Sequence, residues 1–207
     1  MTGRNPNPDF IPGFQQGTFR FVREIYILHY TELCSFAWQL IQDEQEVKNI
    51  VLDTFIKLVQ RRESFDSLAN IKAFLYITVR NASLNYLRYH KEEAGGNNKN
   101  PFSQLAEADS YLATDCPNAD ISSPVKAAIQ ALPSPTQEVF NRMYGSAEYV
   151  ADVAKHLEME AAEVVNHKTK ALYLLQNMLA EKSAHGALLL IYYLAVVHPG
   201  NRLANAS

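Results

Sequence analysis

Along residues 21–41, Phe21, Ile25, Leu28, Leu33, Phe36, Ala37, Leu40 and Ile41 recur at helical spacing, which predicts one apolar stripe on a long amphipathic helix. Residues 46–60 repeat the pattern with Val47, Ile50, Val51, Phe55, Leu58 and Val59. The acidic group Asp43, Glu44 and Glu46 in front of them suits a helix N-terminus, where the macrodipole favours negative charge. Charged and small residues over 61–67 break the period. A third stripe, over 70–91, holds Ile71, Phe74, Leu75, Val79, Ala82, Tyr86 and Tyr89. On its other side Lys72, Tyr76 and Arg80 recur every fourth residue, with Arg88 two turns beyond, so a basic row containing an aromatic runs along the expected solvent face.

The composition then changes. Residues 94–100 read Ala-Gly-Gly-Asn-Asn-Lys-Asn, and 103–123 are polar and acidic with Pro117, which is linker chemistry that buries no core. Beyond it, 124–132 predict a short helix stopped by Pro133 and Pro135, and 136–144 another that ends near Gly145. Residues 147–157 and 161–180 predict two helices separated by Glu158, Met159 and Glu160, a connection short enough for a helix-turn-helix. Val150, Val153, Ala154, Leu157, Met159 and Val164 take its inward positions. No segment of useful length has strand periodicity. The expected fold is all-α, two small helical domains joined by a flexible linker. The expected boundaries are a disordered tail over 1–17, a first domain over 18–91, a linker over 92–123, a helix-turn-helix domain over 124–185, and an apolar C-terminal helix and tail over 186–207.

A hydrophobic fraction of 47% is ample for packed cores. Residues 1–17 lack the charged and apolar regions of a secretory signal, and Cys34 and Cys116 have no metal-type spacing, so a cytoplasmic chain with two reduced thiols is expected. The apolar run 187–197 is well short of the ~20 residues that span a bilayer, so no membrane insertion is expected. His29, His90, His156, His167, His185 and His198 are not paired at metal spacing. There is no phosphate-binding glycine loop and no nucleophilic triad pattern, so neither a metal, a cofactor nor a catalytic residue is expected, and an enzyme reading has no residues to rest on. A net charge of -3 gives no global case for nucleic-acid binding; any such case is local.

Locally, the segment from Phe65-Asp66-Ser67-Leu68 through Asn70-Ile71-Lys72-Ala73-Phe74-Leu75-Tyr76 and Val79-Arg80-Asn81-Ala82 to Tyr86-Leu87-Arg88 resembles region 2 of the extracytoplasmic-function (ECF) sigma factors of the sigma-70 family. Phe36-Ala37 with Leu40-Ile41-Gln42-Asp43 supports the resemblance upstream. So does Ile50-Val51-Leu52-Asp53-Thr54-Phe55-Ile56-Lys57-Leu58, which is similar to the family's polymerase-gripping helix. Ala131-Leu132-Pro133 followed by Glu138-Val139-Phe140 looks like the entry to region 4, with the helix-turn-helix where that family has it. The resemblance implies an initiation factor that partners core RNA polymerase, promoter DNA and an anti-sigma factor, with region 2 melting and trapping the -10 element and region 4 docking the -35 element. It implies DNA contacts from Arg61, Arg62, Asn70, Lys72, Tyr76, Arg80 and Arg88 in region 2, Asn70 reading a flipped base. From the helix-turn-helix it implies Lys155, Asn166, Lys168 and Lys170. It implies polymerase contacts from Asp43, Glu46, Lys48, Asn49, Leu52, Asp53 and Lys57. Positive side chains beside aromatics suit an unstacked single strand on physical grounds as well, although a plain solvated helix face has the same composition.

Several residues depart from the family pattern. Glu158 stands where a Gly is usual in the turn, and Glu160 and Glu163 stand where Ser and Thr are favoured at the start of the recognition helix. Between Pro124 and His185, 6 basic residues face 7 acidic ones, so this domain is expected to bind DNA weakly alone. On the polymerase-gripping helix, Lys48 and Asn49 replace an acidic pair and Leu52 a glutamine; an exposed Leu52 would add an apolar contact, while Lys48 would pair with Glu44 four residues earlier. These departures motivate an alternative, a divergent sigma-like regulator that binds polymerase or an anti-sigma factor without productive promoter recognition. The apolar run at 186–197 predicts a last helix packed on the second domain or between the domains, or else docked on a partner. A closed packing of the two domains is expected to hide the basic row.

Overall fold

The computed structural model describes residues 9–89, 122–146, 148–181 and 186–197. Every regular element among them is helical, so the chain is all-α. The first group comprises α1 (Phe10–Gln15), α2 (Phe19–Ile41), α3 (Glu44–Gln60), a 3₁₀ turn (Arg62–Ser64) and α4 (Leu68–Tyr89). The second comprises α5 (Ser122–Gln130), α6 (Ser134–Phe140) continued by a π turn (Asn141–Gly145), α7 (Val150–Leu157), α8 (Ala161–Ala180), and α9 (Gly186–Tyr192) continued by a second π turn (Tyr193–Val197).

Phe10–Gln15, expected in the tail, instead form α1, because Phe14 is fully buried and Phe10 stacks edge-on against Phe21 at 5.2 Å. Gly17 joins α1 to α2 with φ +74, a conformation that L side chains rarely adopt, and Arg62 and Val196 lie against its missing side chain. Residues 1–8 and 198–207, and the expected linker apart from Ser122 and Ser123 at the start of α5, lie outside the described residues, as does Cys116.

In the first group α2, α3 and α4 pack on one another. Asp43 caps α3 by accepting the Glu46 amide at 2.9 Å, as the acidic cluster predicted. On α4 the row Ile71, Leu75 and Val79 is fully buried and continues to a buried Ser83. On α2 the inner row is Ile25, His29, Leu33, Ala37 and Ile41. Leu28 lies off that row and is 59% exposed, contrary to the expected stripe. The helix-turn-helix packs as its spacing required: Val153 and Val164 bury completely with Val139 of α6, and Met143, Val150, Ala154, Leu157 and Met159 close round them.

The larger core does not stop at the first group. It runs from α1–α4 into α5, the α6 π turn, the C-terminal half of α8 and all of α9. α9 lies between the two groups, against α8 on one side and α3 and α2 on the other, with Leu188, Leu190, Ile191, Tyr193 and Leu194 buried. This is the between-domains form of the packing expected for the apolar run. Gly186 permits it, since a Cβ there would fall 2.6 Å from the Leu179 carbonyl carbon and 2.8 Å from the Ala180 nitrogen.

α7 ends on Glu158 at φ 53, one of two non-glycine residues with positive φ among those described. A residue with a Cβ is strained in this left-handed cap, so Glu158→Gly is expected to stabilise the chain by about 1 kcal/mol. The urea midpoint should rise with an unchanged m-value.

Candidate functional site

The solvent face of α4 carries Lys72, Arg80 and Arg88 exposed and Tyr76 half-buried, because the opposite face of the helix is committed to the core. Tyr76 is held by α2: its hydroxyl donates to Glu32 Oε2 at 3.1 Å, and its ring lies 5.4 Å from that of Phe36. Lys72 Nζ lies over the same ring, 5.7 Å from its centroid. Burial, then Glu32, raises the Tyr76 phenol, so it is neutral and a hydrogen-bond donor at physiological pH. Arg88 donates to Asn85 at 3.4 Å. His29 is buried three residues before Glu32; burial lowers its pKa, with Glu32 opposing and Lys72 adding to the shift. The sequence reading did not name Glu32 and placed Phe36 only in the apolar stripe of α2, because only the crossing of α2 over α4 brings the two to Tyr76.

Arg61, in the loop before α4, and Asn70, in the first turn of α4, are exposed, and the Asn70 amide donates to the Asp66 carboxylate. Arg62 is turned inward, with its Nη1 donating to the carbonyls of Val59 and Ala195, both at 3.1 Å. Its guanidinium ties the first group to the C-terminal segment instead of facing solvent.

The expected polymerase-contacting residues share α3 but not one environment. Asp43 is occupied by its cap and by the Tyr86 hydroxyl at 2.9 Å. Lys48 pairs with Glu44 at 2.6 Å, the i,i+4 arrangement its spacing allowed. Lys57 pairs with Asp53 at 2.8 Å. Leu52, expected to be exposed, is 1% exposed, since α8 and α9 cover this side of α3.

Asn49 and Asp53, one turn apart, are buried and bonded across to the second group. Asn49 Oδ1 accepts from Gln176 at 3.0 Å. Asp53 accepts from the Tyr144 hydroxyl at 2.6 Å and from Lys168 Nζ at 2.8 Å. Burial alone would raise the Asp53 carboxyl, but Lys168 and Lys57 hold it well below the usual carboxylate range. The same carboxylate, after burial, pushes the Tyr144 phenol well up.

On the helix-turn-helix, Lys155, Asn166 and Lys170 are exposed, as are Glu158, Glu160 and Glu163. Lys168, grouped with them by sequence, points to Asp53. His167 pairs with the buried Thr136 hydroxyl at 3.0 Å, which is a packing contact. Arg142 is taken up by Glu138 and Glu148. The packing of the two groups leaves the α4 row exposed, contrary to the expectation that closure would hide it; what it covers is α3.

The described residues contain no group of three that could hold a metal ion, and no helix among them is long and apolar enough to cross a membrane. The geometry is that of a helical binding protein with one basic, aromatic-bearing face. Residues 25–93 match the family model of Sigma-70 region 2, which covers α4 and α3 whole and most of α2. The match spans a third of the chain and supports a sigma-factor-like role in RNA polymerase binding and promoter recognition. No curated protein matches the chain.

Glu46 gives α3 a pH signature. Burial pushes its carboxyl up to about 7, with Asn49 opposing and Asp43 adding. Between about pH 4.5 and about 7 the folded chain therefore holds a proton that the unfolded chain has lost, so this contribution to stability falls as pH rises through that window. Asp53 acts oppositely and at lower pH: held low, its contribution is present above about pH 4 and lost as pH falls below it. Glu46→Gln removes the first effect only. Its urea midpoint, relative to wild type, is expected to rise progressively between pH 5 and pH 8.

Proposed function

We propose that the chain is an ECF-type sigma factor: it binds core RNA polymerase through α3, melts and traps the promoter's -10 element on the α4 face, and docks the -35 element with the α7–α8 helix-turn-helix. The observation that carries this reading is the row of exposed Lys72, Arg80 and Arg88 with half-buried Tyr76 on a helix inside the segment that matches Sigma-70 region 2. A single strand whose bases have unstacked needs cations along its phosphates and a π-face for a base, and stacking is worth about 1–3 kcal/mol per base. Tyr76, braced by Phe36 and Glu32, offers a ring already fixed in place, which limits the ordering cost of stacking.

The second domain contributes less to the proposal. Lys155, Asn166 and Lys170 are available to duplex DNA, but Glu158, Glu160 and Glu163 surround them with like charge to the phosphates. The engagement of Lys168 with Asp53 favours a second reading, a sigma-like regulator that binds polymerase or an anti-sigma factor without productive promoter recognition.

Transcription in vitro with the cognate core polymerase on a pool of genomic fragments separates the two. Promoter-specific transcripts are expected, and their absence sinks the initiation-factor reading. Tyr76→Ala is expected to lower open-complex formation about tenfold, the loss of one stacked base. Arg80→Ala should weaken single-strand binding at every sequence and flatten the salt dependence by about 0.7 in log–log slope.

A further inference from the structure

The side of α3 buried against the second group is the side that carries Asn49, Leu52 and Asp53. Its cover is fastened at three places. Gln176 and Lys168 reach Asn49 and Asp53 from α8, and Tyr144 reaches Asp53 from the α6 π turn. At the far end Arg62 grips the Ala195 carbonyl, and Phe19 meets Tyr192 edge-on at 5.0 Å. The chemistry of this junction differs from that of the cores on either side. An amide and a carboxylate lie where a permanent core would carry aliphatic residues, and each divides its partners between the groups: Asn49 bonds Gln45 and Glu46 on its own helix and Gln176 opposite, and Asp53 bonds Lys57 on its own helix and Lys168 and Tyr144 opposite. Buried ionic and amide pairs add less net stability than apolar contacts of the same size but fix register closely. α9 belongs with the cover, since Gly186 sets it directly on the α8 backbone at Leu179 and Ala180. The α4 row lies outside the covered area.

We propose that the second group, α5 through the turn ending at Val197, is a built-in competitor for the partner-binding face of α3: the free chain rests closed, and core RNA polymerase gains Asn49, Leu52 and Asp53 only when this group swings away. The proposal rests on the reading of α3 as the polymerase-contacting helix. The closed chain still presents Lys72, Tyr76, Arg80 and Arg88, so closure regulates polymerase binding and leaves single-strand binding unaltered. Apparent affinity for polymerase is the intrinsic affinity multiplied by the open fraction.

The test uses the full chain and two substitutions on the covering side. Lys168→Glu sets a carboxylate against Asp53, and Gln176→Glu sets one against the Asn49 Oδ1; the milder Gln176→Glu carries the test if Lys168→Glu loses helix content by far-UV circular dichroism. Three quantities are read: radius of gyration by small-angle scattering, affinity for core RNA polymerase, and affinity for an oligo-dT strand. The expected result is a larger radius of gyration, polymerase affinity raised about tenfold, and oligo-dT affinity within about twofold of wild type. Variants that open without binding polymerase more tightly overturn the proposal while leaving the function intact, as does a wild-type chain already extended in solution. If scattering shows wild type closed and the variants open, yet neither binds core polymerase, the reading of α3 fails and the competition with it.

Discussion

Asp53 places a carboxylate under a helical roof, and the arrangement of the two helix groups follows from what that carboxylate requires. A charge taken out of water is stable only with partners that replace its hydration. Lys57, one turn on, supplies one and remains partly in solvent. The others come from the second group, Lys168 from α8 and the Tyr144 hydroxyl from the α6 π turn, and both can reach only if that group lies over α3 in one register. Asn49 repeats the requirement a turn earlier with Gln176. Apolar burial by α9 and its π turn supplies the bulk attraction across the junction, because Leu188, Leu190 and Ile191 of the helix and Leu194 of the turn find cover on both sides. The polar bonds decide where the groups meet; the apolar helix decides that they meet.

This division of labour leaves the two faces of the first group with different fates. α4 spends its apolar row on α2 and α3, and its basic row is left to solvent, with Tyr76 steadied by Glu32 and Phe36. α3 buries on two sides, one against its own group and one against the second. A nucleic-acid strand and a protein partner would thus approach surfaces that respond differently to the same movement of the second group.

The repeats of apolar residues were enough to locate the helices from α2 to α8, because each pattern is local and each helix needs one buried stripe. The helix-turn-helix interior was legible residue by residue, from Val150 to Val164, for the same reason. α1 was missed because six residues with a Pro and a Gly carry no helical period; Phe14 makes it a helix by burial alone. Leu28 was placed in the core on spacing that a helix of this length tolerates on either flank.

The sequence by itself determined the all-α class, the segment matching Sigma-70 region 2, and the basic row of α4, all of which depend on neighbours three to four residues apart or on a continuous motif. Only the tertiary structure decided what each charged side chain does. Lys168 and Lys170 are indistinguishable as letters, yet one is held by a carboxylate 115 positions away and the other is exposed. Arg61 and Arg62 divide in the same way, one in solvent and the other on the Ala195 carbonyl. The physical reason is that a long cationic side chain takes whichever partner the packing of distant helices brings within reach, and that packing has no local period to read.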